Sequence, residues 1–119
     1  MKSYSINLKV FIKFDIIIAK IMKYFIVELS YKVPFEKLSG IVDAHRSFLD
    51  SGYKSKMLLC SGPKNPKTGG IIVARAESEK EIRDYFENDP YHTHDVAEHK
   101  FVEFTPVKHQ EFLKEWIEL

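Results

Sequence analysis

The side chains best suited to proton transfer in this chain are histidines and an aspartate that precedes a proline. Histidine titrates near neutral pH, and a neighbouring carboxylate fixes its tautomer and favours its charged form. His45 falls within a predicted helix, and Asp89 stands where Pro90 must end another. If the fold joins His45 to Asp89, the two form a general acid–base pair for proton abstraction next to a carbonyl, or for elimination.

Local sequence alone favours a simpler role for each of these residues. His45 lies beside the apolar face of its helix, where a histidine at the edge of a core is satisfied by a backbone carbonyl. Asp89, directly before Pro90, is typical of an Asx turn. The pair is therefore a hypothesis that needs support from the rest of the chain.

Metal and phosphate sites are the main alternatives. His92, His94, Asp95 and His99 carry groups that bind transition metals, but their spacing is unspecific, and a solvated polar loop is the favoured interpretation. The Gly- and Pro-rich segment 62–70 lacks Walker or dinucleotide-binding spacing and reads as a connector. We predict no metal and no cofactor.

Length and composition limit the class of protein. A chain of 119 residues suits one domain, and its 18 basic and 17 acidic side chains almost cancel. Binding to nucleic acid is therefore not expected. The single cysteine, Cys60, excludes an internal disulfide framework, and we predict a cytoplasmic protein.

The first 21 residues do not fit the pattern of the rest. Their apolar run is interrupted by Lys13, Asp15 and Lys20, so neither a signal peptide nor a membrane span is expected. We predict an N-terminal extension at 1–21 and a single domain at 22–119. The extension is interpreted as a superfluous or loosely attached segment, as an added strand or helix, or as a targeting segment.

The elements that must position these side chains follow from apolar periodicity. A strand at 23–31 precedes a helix at about 35–51 that Gly52 ends. The following elements are strands at 56–61 and 71–76, a helix from the Ser78 capping box to about Asn88, a strand at 101–107 and an amphipathic helix at 112–119. This order predicts an α+β, ferredoxin-like βαββαβ fold: a four-stranded antiparallel sheet with two helices on one face, plus a C-terminal helix. The uncovered face of that sheet is rich in Tyr and Phe, so we expect a homodimer formed sheet to sheet.

Several segments in order resemble the YciI-like (YCII-related) family. They are Ala44-His45 with Leu49 and Gly52, Ser61-Gly62-Pro63, Asp89-Pro90-Tyr91, and Glu98-His99 before the last strand. The resemblance covers residues 22–107 and implies a dimeric α/β barrel with a cleft in each subunit. It implies His45 and Asp89 as the catalytic pair, and Ser61, Gly62, Pro63, Tyr91 and His99 as substrate-binding residues.

The resemblance also bears on the chemistry. It suggests a cofactor-free lyase or isomerase acting on a small cyclic or aromatic-derived compound, with the Ser61 hydroxyl and backbone N–H groups after Gly62 as oxyanion partners. Relatives carry an arginine where this chain has Val42, which weakens the case for a carboxylate substrate. A non-catalytic dimeric module that binds a small ligand, or an accessory protein, is the alternative, and a cofactor-free monooxygenase is a weaker one.

Overall fold

The computed structural model describes residues 21–118, so the predicted extension, apart from its last residue, lies outside the described part. Within this range the elements follow in the order strand, helix, strand, strand, helix, helix, strand, helix. They are β1 Lys23–Tyr31, α1 Val42–Lys54, β2 Leu58–Pro63, β3 Gly69–Ala76, α2 Glu79–Phe86, α3 Pro90–Thr93, β4 Ala97–Phe104 and α4 Lys114–Glu118, with 3₁₀ turns at Phe35–Leu38 and Glu111–Leu113.

The strands form one antiparallel sheet in the order β2-β3-β1-β4. Val27 at the centre of β1 lies opposite Ile72 on β3 and Phe101 on β4. This order places the first and third strands at the centre, as the ferredoxin-like plan requires. The predicted fold class is confirmed.

The core lies between the sheet and the helices. Phe25, Val27 and Leu29 alternate along β1 and are buried, as expected for a central strand with one face against helices. The rest of this buried apolar cluster comes from every layer: Leu38, Leu49, Leu58, Ile72, Ala74, Ala76, Ile82, Phe86, Tyr91 and Ala97. Helices α1 and α2 are thereby fixed over one face of the sheet.

The first predicted helix is interrupted. Its opening turn is a 3₁₀ turn that buries Leu38, and the chain then bends at Gly40, where φ is +92°. Only glycine adopts this conformation without strain, so α1 begins afresh at Val42. Apolar residues continue at helical spacing on both sides of this bend, so the sequence pattern did not reveal it.

Gly52 does not end α1, contrary to the prediction. It is a buried residue within the helix, and a Cβ atom there would lie 2.6 Å from the Leu58 side chain and from the Tyr85 hydroxyl. The left-handed residue after the helix is Lys56, with φ of +66°. Gly52 therefore allows close packing of α1 on β2 and α2.

The last strand is displaced from its predicted position at 101–107. It begins at Ala97 and ends at Phe104, so residues 97–100, which were expected to belong to a polar loop, lie in the sheet. His99 lies on the helix-facing side of β4, on the same face of the strand as Ala97 and Phe101. This shift turns His99 towards the end of α2.

The C-terminal helix is shorter than predicted, and its apolar stripe is incomplete because Phe112 is 81% exposed. Trp116 packs edge to face against Tyr24 on the sheet face away from α1, and its Nε1–H donates to Lys56 O at 2.9 Å. Other apolar side chains of that face remain exposed, namely Ile71, Val102 and Phe104.

None of the helices between residues 21 and 118 has the length and apolar content needed to cross a bilayer.

Candidate functional site

Helix α1 turns His45 into the interior. The buried positions of α1 are His45, Leu49 and Gly52, which recur at the spacing of one helical face. The His45 N–H donates to Ile41 O at 2.9 Å, so the residue lies in the first turn of regular helix. Its imidazole is 11% exposed and contacts Asp89, the residue that precedes α3.

A short loop at the end of α2 places Asp89. Ser78 caps α2 by accepting from the Glu81 N–H at 3.1 Å, as the capping box predicts, and the helix ends at Phe86. Asp89 is extended, with φ of −64° and ψ of 127°, as expected before Pro90. Its side chain then caps α3, so the Asx-turn role expected from local sequence is present.

The Asp89 carboxylate is fully buried and receives three N–H donors. Oδ1 lies 2.8 Å from His45 Nδ1 and 2.9 Å from the Tyr91 backbone N. Oδ2 lies 3.0 Å from His99 Nε2. An ionised carboxylate only accepts hydrogen bonds, so both imidazoles must donate to it.

The donors keep Asp89 charged despite its burial. Burial raises the pKa of Asp89, but hydrogen bonds from His45 and His99, the His45 charge and the Tyr91 N–H together hold it below the ordinary value of 3.8. The proton of neutral His45 is consequently fixed on Nδ1. His45 Nε2 makes no hydrogen bond within residues 21–118 and is the nitrogen left to act on a ligand.

Tyr91 holds the His45 ring in place. The two rings are stacked, with centroids 3.8 Å apart and planes at 6°. Burial raises the pKa of Tyr91 far above its ordinary value, with further contributions from Tyr31 and Asp89, while Arg46 opposes the shift. The phenol therefore remains an O–H donor at physiological pH.

His45 opens onto a cleft of about 210 Å³ between α1 and the β2–β3 hairpin. Of the five predicted substrate-binding residues, Ser61, Gly62, Pro63 and Tyr91 line it. The structure does not offer the expected backbone N–H groups, because Pro63 has none and the Lys64 N–H donates to Gly69 O at 2.9 Å. The hydroxyl of Ser61, itself 2.5 Å from Tyr53 Oη, and that of Tyr91 remain as candidate oxyanion donors.

His99, the fifth predicted substrate-binding residue, does not line this cleft. It lies behind Asp89 and lines a separate cleft of about 340 Å³ beside β4 and α2. Its side chain is 6% exposed, and its Nδ1 is buried with no hydrogen-bond partner in the described part of the chain. His99 therefore contacts the carboxylate rather than the His45 cleft, a role that the alternation Ala97, His99, Phe101 could have indicated.

Two basic residues that the sequence did not single out line the His45 cleft. Arg46 follows His45 on α1, and Lys67 lies in the loop between β2 and β3. Val42 also lines the cleft, one helical turn before Arg46. From the sequence, Val42 in place of arginine suggested a cleft without a cation. The structure shows that Arg46 and Lys67 supply cations there instead.

The histidines of α3 and β4 do not gather into a metal site. Among residues 21–118, no group of three or more His, Cys, Asp or Glu side chains is arranged to hold a metal ion.

Comparison with known families identifies the family of this chain. A sequence model of the YCII-related domain matches residues 22–105, which is most of the chain. This protein belongs to the YCII-related family.

Solved structures extend the comparison, whereas no curated protein matches the sequence. One similar structure is 5-chloro-2-hydroxyhydroquinone dehydrochlorinase (TftG) from Burkholderia phenoliruptrix AC1100, in complex with 2,5-dihydroxybenzoquinone. The similarity has a TM-score of 0.57 at 19% identity and covers 75% of this chain and 97% of that one. At this identity the likeness establishes a shared fold.

Proposed function

We propose that this protein is a small cofactor-free enzyme that performs acid–base chemistry on a small cyclic compound, as a lyase or isomerase. The observation that carries the proposal is the 2.8 Å contact from His45 Nδ1 to the buried Asp89 carboxylate, made by a histidine that lines a cleft. Because Asp89 holds the proton of the neutral ring on Nδ1, Nε2 is unprotonated and can act as the base.

In the proposed reaction, His45 Nε2 removes a proton from carbon next to a carbonyl. The resulting imidazolium is stabilised by Asp89, and the negative charge developing on the substrate oxygen accepts hydrogen bonds from Tyr91 and Ser61. His45 then returns the proton to another atom in an isomerisation, or a leaving group departs in an elimination. Asp89 acts through His45 and is a positioning residue.

The known relatives support the class of substrate. TftG, which shares the fold, is by its name a dehydrochlorinase of a chlorinated hydroxyhydroquinone and was solved with a quinone bound. A cleft of about 210 Å³ has room for a compound with a single ring and is too small for a polymer.

Proton abstraction can be tested before the full reaction is known. Small cyclic ketones and enones would be incubated in D₂O with the wild type and with His45→Asn, and deuterium incorporation followed by NMR. Asparagine places an amide donor near the position of Nδ1, so it preserves the bond to Asp89 and removes only Nε2. We expect exchange above the buffer rate, reduced roughly 100-fold or more in the variant.

A non-catalytic ligand-binding module is the second candidate, favoured by the structural role of Asp89 as the cap of α3. If compounds bind the wild type but exchange no faster than with His45→Asn, this candidate replaces the enzyme.

We further propose that the protein is a homodimer that packs sheet to sheet. The face away from α1 leaves Ile71 on β3 at 37% exposure, and Val102 and Phe104 on β4 at 43% and 40% exposure. Burying such a patch against a second copy removes apolar surface from water.

A further inference from the structure

The His45 cleft carries a positive charge that acid–base chemistry alone does not require. Arg46 comes from α1 and Lys67 from the β2–β3 loop, so two separate elements supply cations to one small space. Among residues 21–118, no carboxylate lines the cleft, and Asp89 lies behind His45, where it accepts hydrogen bonds from its own donors. A cleft lined by one sign of charge concentrates ligands of the opposite sign.

Carboxylates neutralise four of the basic side chains on the protein surface. Lys32, Lys64, Lys80 and Arg83 each form an ion pair, with Asp95, Glu28, Asp84 and Glu79 respectively. Neither Arg46 nor Lys67 forms an ion pair with any carboxylate of residues 21–118. Lys67 Nζ instead lies 4.8 Å from the centroid of the Phe35 ring at the cleft wall. Both cations therefore remain available to an anion that enters.

The remaining walls restrict the shape of that anion. Leu29, Leu49 and Ile72 give an apolar floor, and Phe35 adds an aromatic side. Tyr91 presents a neutral phenol, since its pKa is raised. Such a site suits a flat, largely apolar body with an oxyanion at one end, because the ring contacts the floor while the charge meets the cations.

We propose that the ligand of this cleft is a small cyclic organic anion, a carboxylate or phenolate, whose charged oxygen is bound by Arg46 and Lys67 while its ring faces His45. This deepens the proposed function, on which it rests for the role of His45. The two basic residues act as specificity determinants and leave the His45–Asp89 pair intact.

The test compares benzoate with benzamide, which share ring and shape but differ in charge. Binding would be followed by NMR shifts of the His45 ring in the wild type, Arg46→Gln, Lys67→Gln and, as a matched control, Lys80→Gln. We expect benzoate to bind at least tenfold more tightly than benzamide. Each cleft variant should lose about tenfold in benzoate affinity with little change for benzamide, and Lys80→Gln should match the wild type.

Equal affinities for benzoate and benzamide, or benzoate binding that survives both cleft substitutions, would overturn the anion proposal. Absence of binding by either compound to a folded protein would overturn it as well. The same spectra report whether the neutral His45 ring carries its proton on Nδ1, so failure of the anion proposal is distinguishable from failure of the acid–base pair.

Discussion

Replacing Asp89 by asparagine tests the buried carboxylate, because the substitution keeps shape and removes charge. The amide oxygen can still accept from Tyr91 N–H and His45 Nδ1–H, and asparagine also caps helices well. The amide nitrogen, however, would stand where Oδ2 now lies 3.0 Å from His99 Nε2. Two donors would then face each other unless His99 moves its proton to Nδ1.

The size of the effect follows from these contacts. A hydrogen bond to a charged group contributes about 1.5–3 kcal/mol and a neutral one about 0.5–1.5 kcal/mol, so weakening the His45 bond and losing the His99 bond costs about 2–4 kcal/mol. A neutral amide costs less to bury than a carboxylate, which offsets part of this loss. We expect Asp89→Asn to lower the free energy of unfolding by about 2 kcal/mol near neutral pH.

The dependence on pH separates this explanation from a packing effect. The pKa of Asp89 in the folded protein lies below its ordinary value of 3.8. Its charge therefore contributes stability that is fully present above about pH 5 and is lost as the pH falls through the folded-state pKa. The difference between wild type and variant should shrink over that acidic range.

Urea denaturation at fixed protein concentration, repeated from pH 7 down to pH 3, measures this difference. The control is Asp50→Asn, an exposed residue on the same helix as His45, which should follow the wild type at every pH. A stability difference between wild type and Asp89→Asn that stays constant down to pH 3 would refute the reasoning.

Three further predictions concern the surroundings of the site. His99→Leu should leave Asp89 Oδ2 unpaired and cost about 1.5–3 kcal/mol in urea denaturation, whereas His99→Gln, which keeps a donor near the Nε2 position, should cost clearly less; equal losses would contradict the role given to His99. Gly52→Ala should destabilise by about 1–2 kcal/mol, because its Cβ would overlap the Leu58 side chain, and an unchanged melting temperature would contradict that packing. Val102→Lys should convert the proposed dimer to monomer in light scattering, and a wild-type protein already monomeric at high concentration would remove the dimer proposal.

The fold was predictable from sequence because each strand has its own apolar pattern. β1 occupies the predicted residues 23–31, and the Ser78 capping box marks the start of α2. The bend at Gly40 was not predictable from periodicity, since apolar residues continue at helical spacing on both sides of it. The role of Gly52 depended on contacts from β2 and α2, which local sequence does not contain.

The candidate site was predictable only in part. The pairing of His45 with Asp89 joins residues 44 positions apart, and the resemblance of ordered segments, rather than local physics, indicated it. His99 was expected among the substrate-binding residues, whereas the structure places it behind Asp89, on a strand that begins earlier than its polar residues suggested. Arg46 and Lys67 were missed because an exposed basic residue gives no local sign that it borders a cleft.

The state of the His45 ring tests the central claim most directly. ¹⁵N NMR of the imidazole at a pH where the ring is neutral would show which nitrogen carries the proton. The pairing with Asp89 predicts protonated Nδ1 and unprotonated Nε2 in the wild type. A wild-type ring protonated on Nε2 would leave no base facing the cleft and would contradict the proposed chemistry.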